Sequence, residues 1–359
     1  MSQSMEVAVV GGGVMGLATA WELTRRGLTP IVFERFARGH HEGASHGATR
    51  NFNNAYDEDH YLDLLVRARA GWDDLGQVDG EPLLRLHGLV THGDVDIDEI
   101  ERRLTARGIH AEIVPRDAAS SRWSGMRFSE SVLFSRDAGV ARASAALGEL
   151  ERRIVAAGGE VRWQTPVVRV EDTGDGVDIV LPEARLRAGA VVVTVGAWTE
   201  RMLPGIRLPR LEVTEEFPAH FLPAAGSAWP SFNHYVDTAR YPATVYGMPT
   251  PGEGVKVGFH RVGEVVDPDA RPHAVTHADA LTEYVREWMP GLDPASAAPI
   301  SCTYTSTDDS AFVLDRRGRI VVGAGFSGHG FKFAPGVGAT LADLALDPTA
   351  LAAEPFRLP

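Results

Sequence analysis

The chain opens on a short apolar run, Glu6 to Val10, followed at once by Gly11-Gly12-Gly13-Val14-Met15-Gly16. Val14, Leu17, Ala18 and Trp21 then fall at i, i+3, i+4 and i+7, which predicts a helix with one apolar face ending near Gly27. Pro30 to Phe33 is a second apolar run, closed by Glu34, so this segment reads as a strand–helix–strand unit of about thirty residues. Helical periodicity returns over 60–80 (Tyr61, Leu62, Leu64, Leu65, Ala68, Trp72), over Asp98 to Arg107, and over Ala143 to Ala157. Val161 to Trp163 and Pro166 to Val170 read as strands. Asp175-Gly176 has the chemistry of a hairpin turn, since both residues tolerate positive φ. Ala190 to Val195 is a nearly continuous apolar run, the pattern of a strand buried on both faces of a parallel sheet. Residues 205–300 change to short strand-like runs with many prolines and aromatics. Ile320 to Val322 returns to a buried strand, and Pro335 to Leu346 to a helix.

The parallel-sheet signals sit at both ends and in the middle. They predict an α/β chain in which a discontinuous nucleotide domain (1–85, 141–210 and 301–359) is interrupted by a second α+β domain of mostly antiparallel sheet (86–140 and 211–300). A length of 359 residues suits two domains. With 44% hydrophobic and 23% charged residues the composition is that of a soluble globular protein. The net charge of -13 argues against a nucleic-acid surface. No apolar run approaches the ~18 residues of a membrane span, and the first residues lack a basic leader, so a cytoplasmic protein is expected. One cysteine, Cys302, makes no internal disulfide and excludes CxxC redox motifs and cysteine-rich zinc sites.

Gly11, Gly13 and Gly16 fit G-x-G-x-x-G: a tight turn, close approach of a pyrophosphate, and close packing of helix on strand. The pyrophosphate sits on the helix N-terminus, where free amides and the dipole favour an anion. Glu34, 18 residues after Gly16, is placed to accept from ribose hydroxyls, and an acid there disfavours a 2′-phosphate. The fingerprint alone leaves FAD and NAD open. A second glycine-rich stretch, with five glycines from Gly323 to Gly336, links the strand at Ile320 to the helix at Pro335 and allows close approach of a flat ligand. A helix N-terminus aimed at a flavin pyrimidine edge stabilises negative charge there. Alternation along Gly254-Val-Lys-Val-Gly-Phe-His260 puts Lys256, Gly258 and His260 on one face.

The fingerprint ending in Glu34, Ser45-His46-Gly47-Ala48-Thr49-Arg50, Lys256-Val-Gly-Phe-His260, Cys302-Thr-Tyr304 and Gly325-Phe-Ser-Gly-His-Gly-Phe-Lys332 occur in this order. Together they resemble the monomeric sarcosine oxidase and N-methyltryptophan oxidase family, of the D-amino-acid-oxidase-like flavoproteins, from about residue 6 to 346. The resemblance implies an FAD-binding Rossmann-like domain of the glutathione-reductase type, and a monomer. It implies FAD carried covalently on Cys302 as an 8α-S-cysteinyl thioether. FAD contacts are implied at Gly11, Gly13, Val14, Met15, Gly16, Glu34, Arg35, Ser45, Thr49, Arg50, Val168, Gly325, Gly328, Gly330, Phe331 and Lys332. It implies Lys256 as the cation that activates oxygen and His260 near the substrate. Arg50 is implied beside the flavin ring with Thr49 next to it, Lys332 as the substrate-carboxylate anchor, and Tyr246 and Tyr304 as cavity walls. Asn53 departs from the pattern, standing where the family places a second, carboxylate-binding arginine. It lines the pocket with Gly328. An amide cannot make the bidentate ion pair, and losing a charged hydrogen bond costs ~1.5–3 kcal/mol.

The reading is an oxidase taking a secondary (N-methyl or cyclic) amine or amino acid to an imine, with oxygen reduced to hydrogen peroxide. A flavin dehydrogenase, an imino-acid oxidase of a specialised pathway, and a non-catalytic flavin-binding protein are the alternatives; Lys256 and Cys302 together argue against the last. Gly43-Ala-Ser45-His-Gly47 matches a nucleophile elbow but lacks its strand and helix. His273 and His277, at helical spacing after Pro272, have nothing to complete a metal site. No metal is expected.

Overall fold

A computed structural model of the protein describes residues 5–224 and 228–359. Met5–Val10 lies at the centre of an eight-stranded mixed sheet. It runs parallel to Ile31–Phe33 on one side and to Arg185–Val193 on the other, with Val10 opposite both Phe33 and Val193. Glu160–Arg162 extends the sheet beyond Ile31–Phe33, also in parallel. The nine-residue strand Arg185–Val193 forks: its start pairs antiparallel with Val177–Val180, its end parallel with Ile320–Ala324. Elements cover both faces at that end, which is why Val191, Val192 and Val193 form an unbroken apolar run.

Helices Val14–Arg25, Asp59–Leu75, Ala143–Ala156 and Ala334–Leu346 share one core with this sheet. Leu17, Trp21, Leu65, Trp72, Leu150 and Leu341 bury against Val7, Val9 and Val192. Each such side chain contributes roughly 1.5–3 kcal/mol of transfer free energy. The last helix crosses the first so closely that a Cβ at Gly338 would lie 2.7 Å from the Ala18 carbonyl oxygen. Nothing longer than a hydrogen fits there.

A second eight-stranded sheet has the order Ala298–Pro299, Ala219–Phe221, Gly254–Phe259, Val245–Thr250, Ser231–Tyr235, Leu89–Gly93, Val132–Ser135, Glu112–Val114. Every neighbouring pair is antiparallel except Ser231–Tyr235 with Leu89–Gly93. Helix Ala278–Trp288 packs Leu281, Tyr284 and Val285 onto its Phe221, Phe232, Val255 and Val257. The chain also forms two three-stranded sheets. Thr49–Phe52 pairs with Gly139–Arg142, which also pairs with Leu84–Arg85. Cys302–Ser306 pairs with Glu212–Glu216, so the cut made at residue 300 in the sequence separates strands of one sheet.

Three expectations need correction. The helix from Asp59 stops at Leu75 rather than near 80, because Gly76 turns to φ +66° and residues 77–82 form a tight hairpin. The strand expected at Pro166 begins at Arg169, Pro166 having no N–H to pair. The hairpin after it exists, but its left-handed residue is Gly174 at φ +86°, not Asp175 or Gly176. Asp172 accepts from the Gly174 N–H at 2.8 Å and puts the bend one residue early. Among the described residues no helix is long and apolar enough to cross a membrane.

Candidate active site

Two cavities meet inside the molecule. One, about 630 Å³, runs along the ends of Met5–Val10 and Ile31–Phe33. The other, about 810 Å³, is lined by strands of the second eight-stranded sheet, which caps it. His46, Arg50, Cys302, Tyr304, Gly328 and Phe331 line both.

The first cavity is the cradle that the fingerprint requires. Gly11 has φ +105°, and a Cβ on it would lie 2.4 Å from the Thr194 carbonyl oxygen. Gly16 lies behind the wall, where a Cβ would come within 1.8 Å of the Gly11 carbonyl oxygen. Gly13, at the N-cap of helix Val14–Arg25, has no side chain to cap it, so first-turn N–H groups lack intrahelical partners beside the cavity that Gly13, Val14 and Met15 line. Ser45 accepts from the Val14 N–H at 3.0 Å; it sits in a loop, with neither strand nor helix to make a nucleophile elbow. Glu34 is buried and accepts from the Gly12 and Phe36 N–H groups at 2.7 and 2.9 Å. Each carboxylate oxygen keeps a lone pair for a ribose hydroxyl. Arg35, paired with Asp269 at 2.8 Å, and the exposed Val168 form the rim. Gly325 and Gly330 line the far end. At Gly328, φ +76°, a Cβ would meet the Tyr304 ring at 2.2 Å. His46 Nε2, at the junction, is buried without a partner. Burial first, then Arg50, push its pKa down to about 3, so it stays neutral. A glycine turn that leads into a helix N-terminus, an acid at the second strand and an orphaned ring nitrogen where the cavities join all fit FAD.

The second cavity gathers the remaining residues. Strand Gly254–Phe259 carries Lys256, which is 5% exposed, and burial lowers its pKa to about 8. Its Nζ donates to the Thr49 carbonyl at 3.5 Å. His260, one residue past the strand, lines the same cavity, with a pKa lowered to about 4 by burial and then Lys332. Lys332 is 4% exposed, donates to the His329 carbonyl at 2.7 Å and lies 5.2 Å from the Tyr56 ring centroid. Burial lowers its pKa to about 7. Arg50 donates to the carbonyls of Thr49, Ala44 and His46, which fixes the junction loop. The Tyr246 and Tyr304 hydroxyls are 3.3 Å apart, and burial holds both phenols in the neutral form. Asn53 lines the cavity and spends its Oδ1 on the Ala55 N–H at 2.8 Å.

Thr49 is the exception. Its hydroxyl bonds Thr250 at 2.8 Å, and neither cavity is lined by it; only its carbonyl reaches the site, through Lys256. His273 and His277 do not share a helix. His273 Nδ1 lies 2.8 Å from Glu215, and His277 precedes helix Ala278–Trp288 at φ +56°. Sequence reasoning passed over His46, Tyr56, His220 and Glu253, all of which line the second cavity. It also missed a signal in the composition. Of 35 Lys and Arg residues, only Lys256 and Lys332 are lysines, and both are buried in this cavity.

A glycine cradle at a helix N-terminus, opening into a cavity of buried cations and phenols, defines a flavin-type oxidoreductase site. The chain belongs to the family described as FAD dependent oxidoreductase, whose model matches residues 6–344. It is 31% identical to the peroxisomal sarcosine oxidase of Homo sapiens over 98% of this chain and 95% of that one. Identity is 28% to the N-methyl-L-tryptophan oxidase of Salmonella arizonae, over 98% of both chains. It is 30% to the monomeric sarcosine oxidase of a Bacillus species, over 96% of this chain and 94% of that one. Among solved structures, NikD, an unusual amino acid oxidase essential for nikkomycin biosynthesis, superposes with a TM-score of 0.86 at 25% identity, covering 99% and 98% of the two chains. The protein is an FAD-dependent oxidoreductase.

Proposed function

We propose that the protein oxidises a secondary amine, N-methyl or cyclic and bulkier than sarcosine, to an imine, with oxygen reduced to hydrogen peroxide. The observation that carries this reading is the junction of the two cavities. There one thiol, Cys302, and one guanidinium, Arg50, line both spaces, with Lys256 on the cap side. FAD would be held in the first cavity by Gly11, Gly13, Ser45 and Glu34 and would supply the two-electron redox chemistry that links amine oxidation to oxygen reduction. Cys302 is the covalent anchor for it, and the anchor suits a reducing, cytoplasmic compartment in which the thiol stays free until used.

The chain's own groups do the rest. Apolar walls and the phenols of Tyr246 and Tyr304 favour the neutral amine, whose lone pair drives the oxidation. Lys332 and His260 face the substrate, Lys332 orienting a carboxylate where one is present. Lys256 places a positive charge where oxygen is reduced, and the Thr49 carbonyl, itself held by Arg50, keeps that charge in position. The imine then leaves and takes up water. Asn53 offers only its amide N–H groups, so the site gives up the strongest carboxylate contact and admits a larger substrate into about 810 Å³. The division into nucleotide segments (1–85, 141–210, 301–359) and cap segments (86–140, 211–300) is part of this reading, as is a monomer.

The test is anaerobic mixing of the yellow holoenzyme with sarcosine, N-methyl aromatic amino acids, L-proline, L-pipecolate, D-amino acids and carboxylate-free secondary amines, read as flavin bleaching. Bleaching by a bulky secondary amine with peroxide formed on re-aeration is expected. No bleaching by any amine would overturn the reading.

A further inference from the structure

We propose that His220 and Glu253 form a proton path from solvent to Lys256. The inference rests on the assignment of Lys256 to the oxygen side of the cavity. Strands Ala219–Phe221, Gly254–Phe259 and Val245–Thr250 lie side by side, and His220, Lys256 and Met248 stand directly opposite one another across them. Residues so paired project from the same face with Cβ atoms roughly 5 Å apart. All three line the cavity, and so does Glu253.

His220 Nε2 lies 3.3 Å from Glu253 Oε2. The ring nitrogen is buried and not aligned on the carboxylate, and it has no other partner. The bond therefore forms by a small turn of Glu253, whose side chain is 48% exposed and free to make it. Exposure falls along the series, from Glu253 to 7% at His220 and 5% at Lys256. Lys256 uses one N–H, on the Thr49 carbonyl at 3.5 Å, and keeps two for exchange. Arg50, His46 and Cys302 also face it, and none of them supplies a carboxylate. Glu253 does, and its charge favours the protonated amine.

The lysine usage points the same way. A chain that places arginine at every other basic position keeps lysine at two buried ones. A guanidinium holds its proton under all working conditions, whereas a buried ammonium can give one up. Lysine at position 256 therefore matches a proton that moves. The balance is simple. Each oxygen takes two electrons and two protons to become hydrogen peroxide, while the amine loses two electrons and two protons as it becomes an imine. A proton given by Lys256 is replaced through the His220 ring, one nitrogen accepting as the other donates, from Glu253 and bulk water.

The experiment uses photoreduced holoenzyme, so that no substrate need be known, mixed with oxygenated buffer in a stopped-flow cell at pH 6–9. Glu253→Gln and His220→Gln should slow reoxidation fivefold or more, with the loss growing towards high pH. Imidazole should restore a His220→Ala variant at least in part. Two lysines give two side-chain signals in a 15N-lysine-labelled holoenzyme, and the Lys256 signal in Glu253→Gln should titrate at least half a pH unit lower than in the parent. Glu253 is half in solvent, so its variant folds even if those at His220 do not. Parent-like reoxidation across the whole pH range in Glu253→Gln overturns the path. Lys256→Met separates the two levels: if it is slow while Glu253→Gln is not, only the path falls. If Lys256→Met also reoxidises at the parent rate, the oxygen-side assignment falls with it.

Discussion

The Tyr304 hydroxyl donates to the Tyr246 hydroxyl across 3.3 Å, at the point where the nucleotide cavity opens into the cap cavity. The direction of that bond leaves the Tyr246 proton free to reach a substrate. Tyr246→Phe should therefore lower kcat/KM about tenfold, more than Tyr304→Phe, and the double variant should lose less than the product of the two. Steady-state kinetics on the amine found by bleaching check this. Equal, multiplicative losses would show that the hydroxyls act independently.

Cys302 lies on the strand paired with Glu212–Glu216, and its thiol faces the junction. In Cys302→Ser the flavin should appear in the supernatant after acid precipitation, whereas the parent should keep it in the pellet. Yellow supernatant from the parent would count against the covalent anchor while leaving FAD binding intact.

Asn53→Arg should lower KM for small N-methyl amino acids ten- to a hundredfold, the worth of ~1.5–3 kcal/mol for a regained charged hydrogen bond. The same change removes the Asn53 bond to the Ala55 N–H, so the melting temperature should fall by a few degrees. Unchanged KM for sarcosine would remove Asn53 from the determinants of specificity.

His92 and His234 stack in the cap sheet with ring centroids 3.9 Å apart. His234 bonds the Tyr284 hydroxyl at 3.0 Å, and both His92 nitrogens are buried without partners. Burial lowers both pKa values, that of His234 to about 4. The folded state thus holds neutral rings that an unfolded chain would protonate near pH 6.5. The stability they permit is complete above that pH and is lost as pH falls from 6.5 towards 4, on the order of 3 kcal/mol for His234. His92→Phe removes two orphaned nitrogens and one titration. Its melting temperature should drop less than the parent's between pH 7.5 and pH 5, as calorimetry would register.

The nucleotide half was legible because its patterns are local. A strand, three spaced glycines and a helix face occupy consecutive residues from Glu6 to Glu34, and each glycine has one steric reason. The cap was not. Its sheet order brings Ala219–Phe221 beside Gly254–Phe259 and Leu89–Gly93 beside Ser231–Tyr235, pairings across long sequence gaps that no periodicity encodes. His220 shows the effect on the site: on its strand it is an unremarkable polar residue, and only register places it opposite Lys256. Thr49 shows the reverse, since a motif neighbour of Arg50 turns its hydroxyl to Thr250. The helix from Asp59 ended early for a local reason, the left-handed Gly76, which apolar spacing alone does not report.

The placement of lysine has a consequence for the outside of the molecule. In the proposed reaction an N-methyl amine gives an imine that hydrolyses to an aldehyde, and aldehydes condense with primary amines. Here every lysine ammonium is indoors, with Lys256 and Lys332 at 5% and 4% exposure. The exterior cations are guanidinium groups, too weakly nucleophilic to form the same adducts. The protein's surface thus carries no lysine for an aldehyde to cross-link.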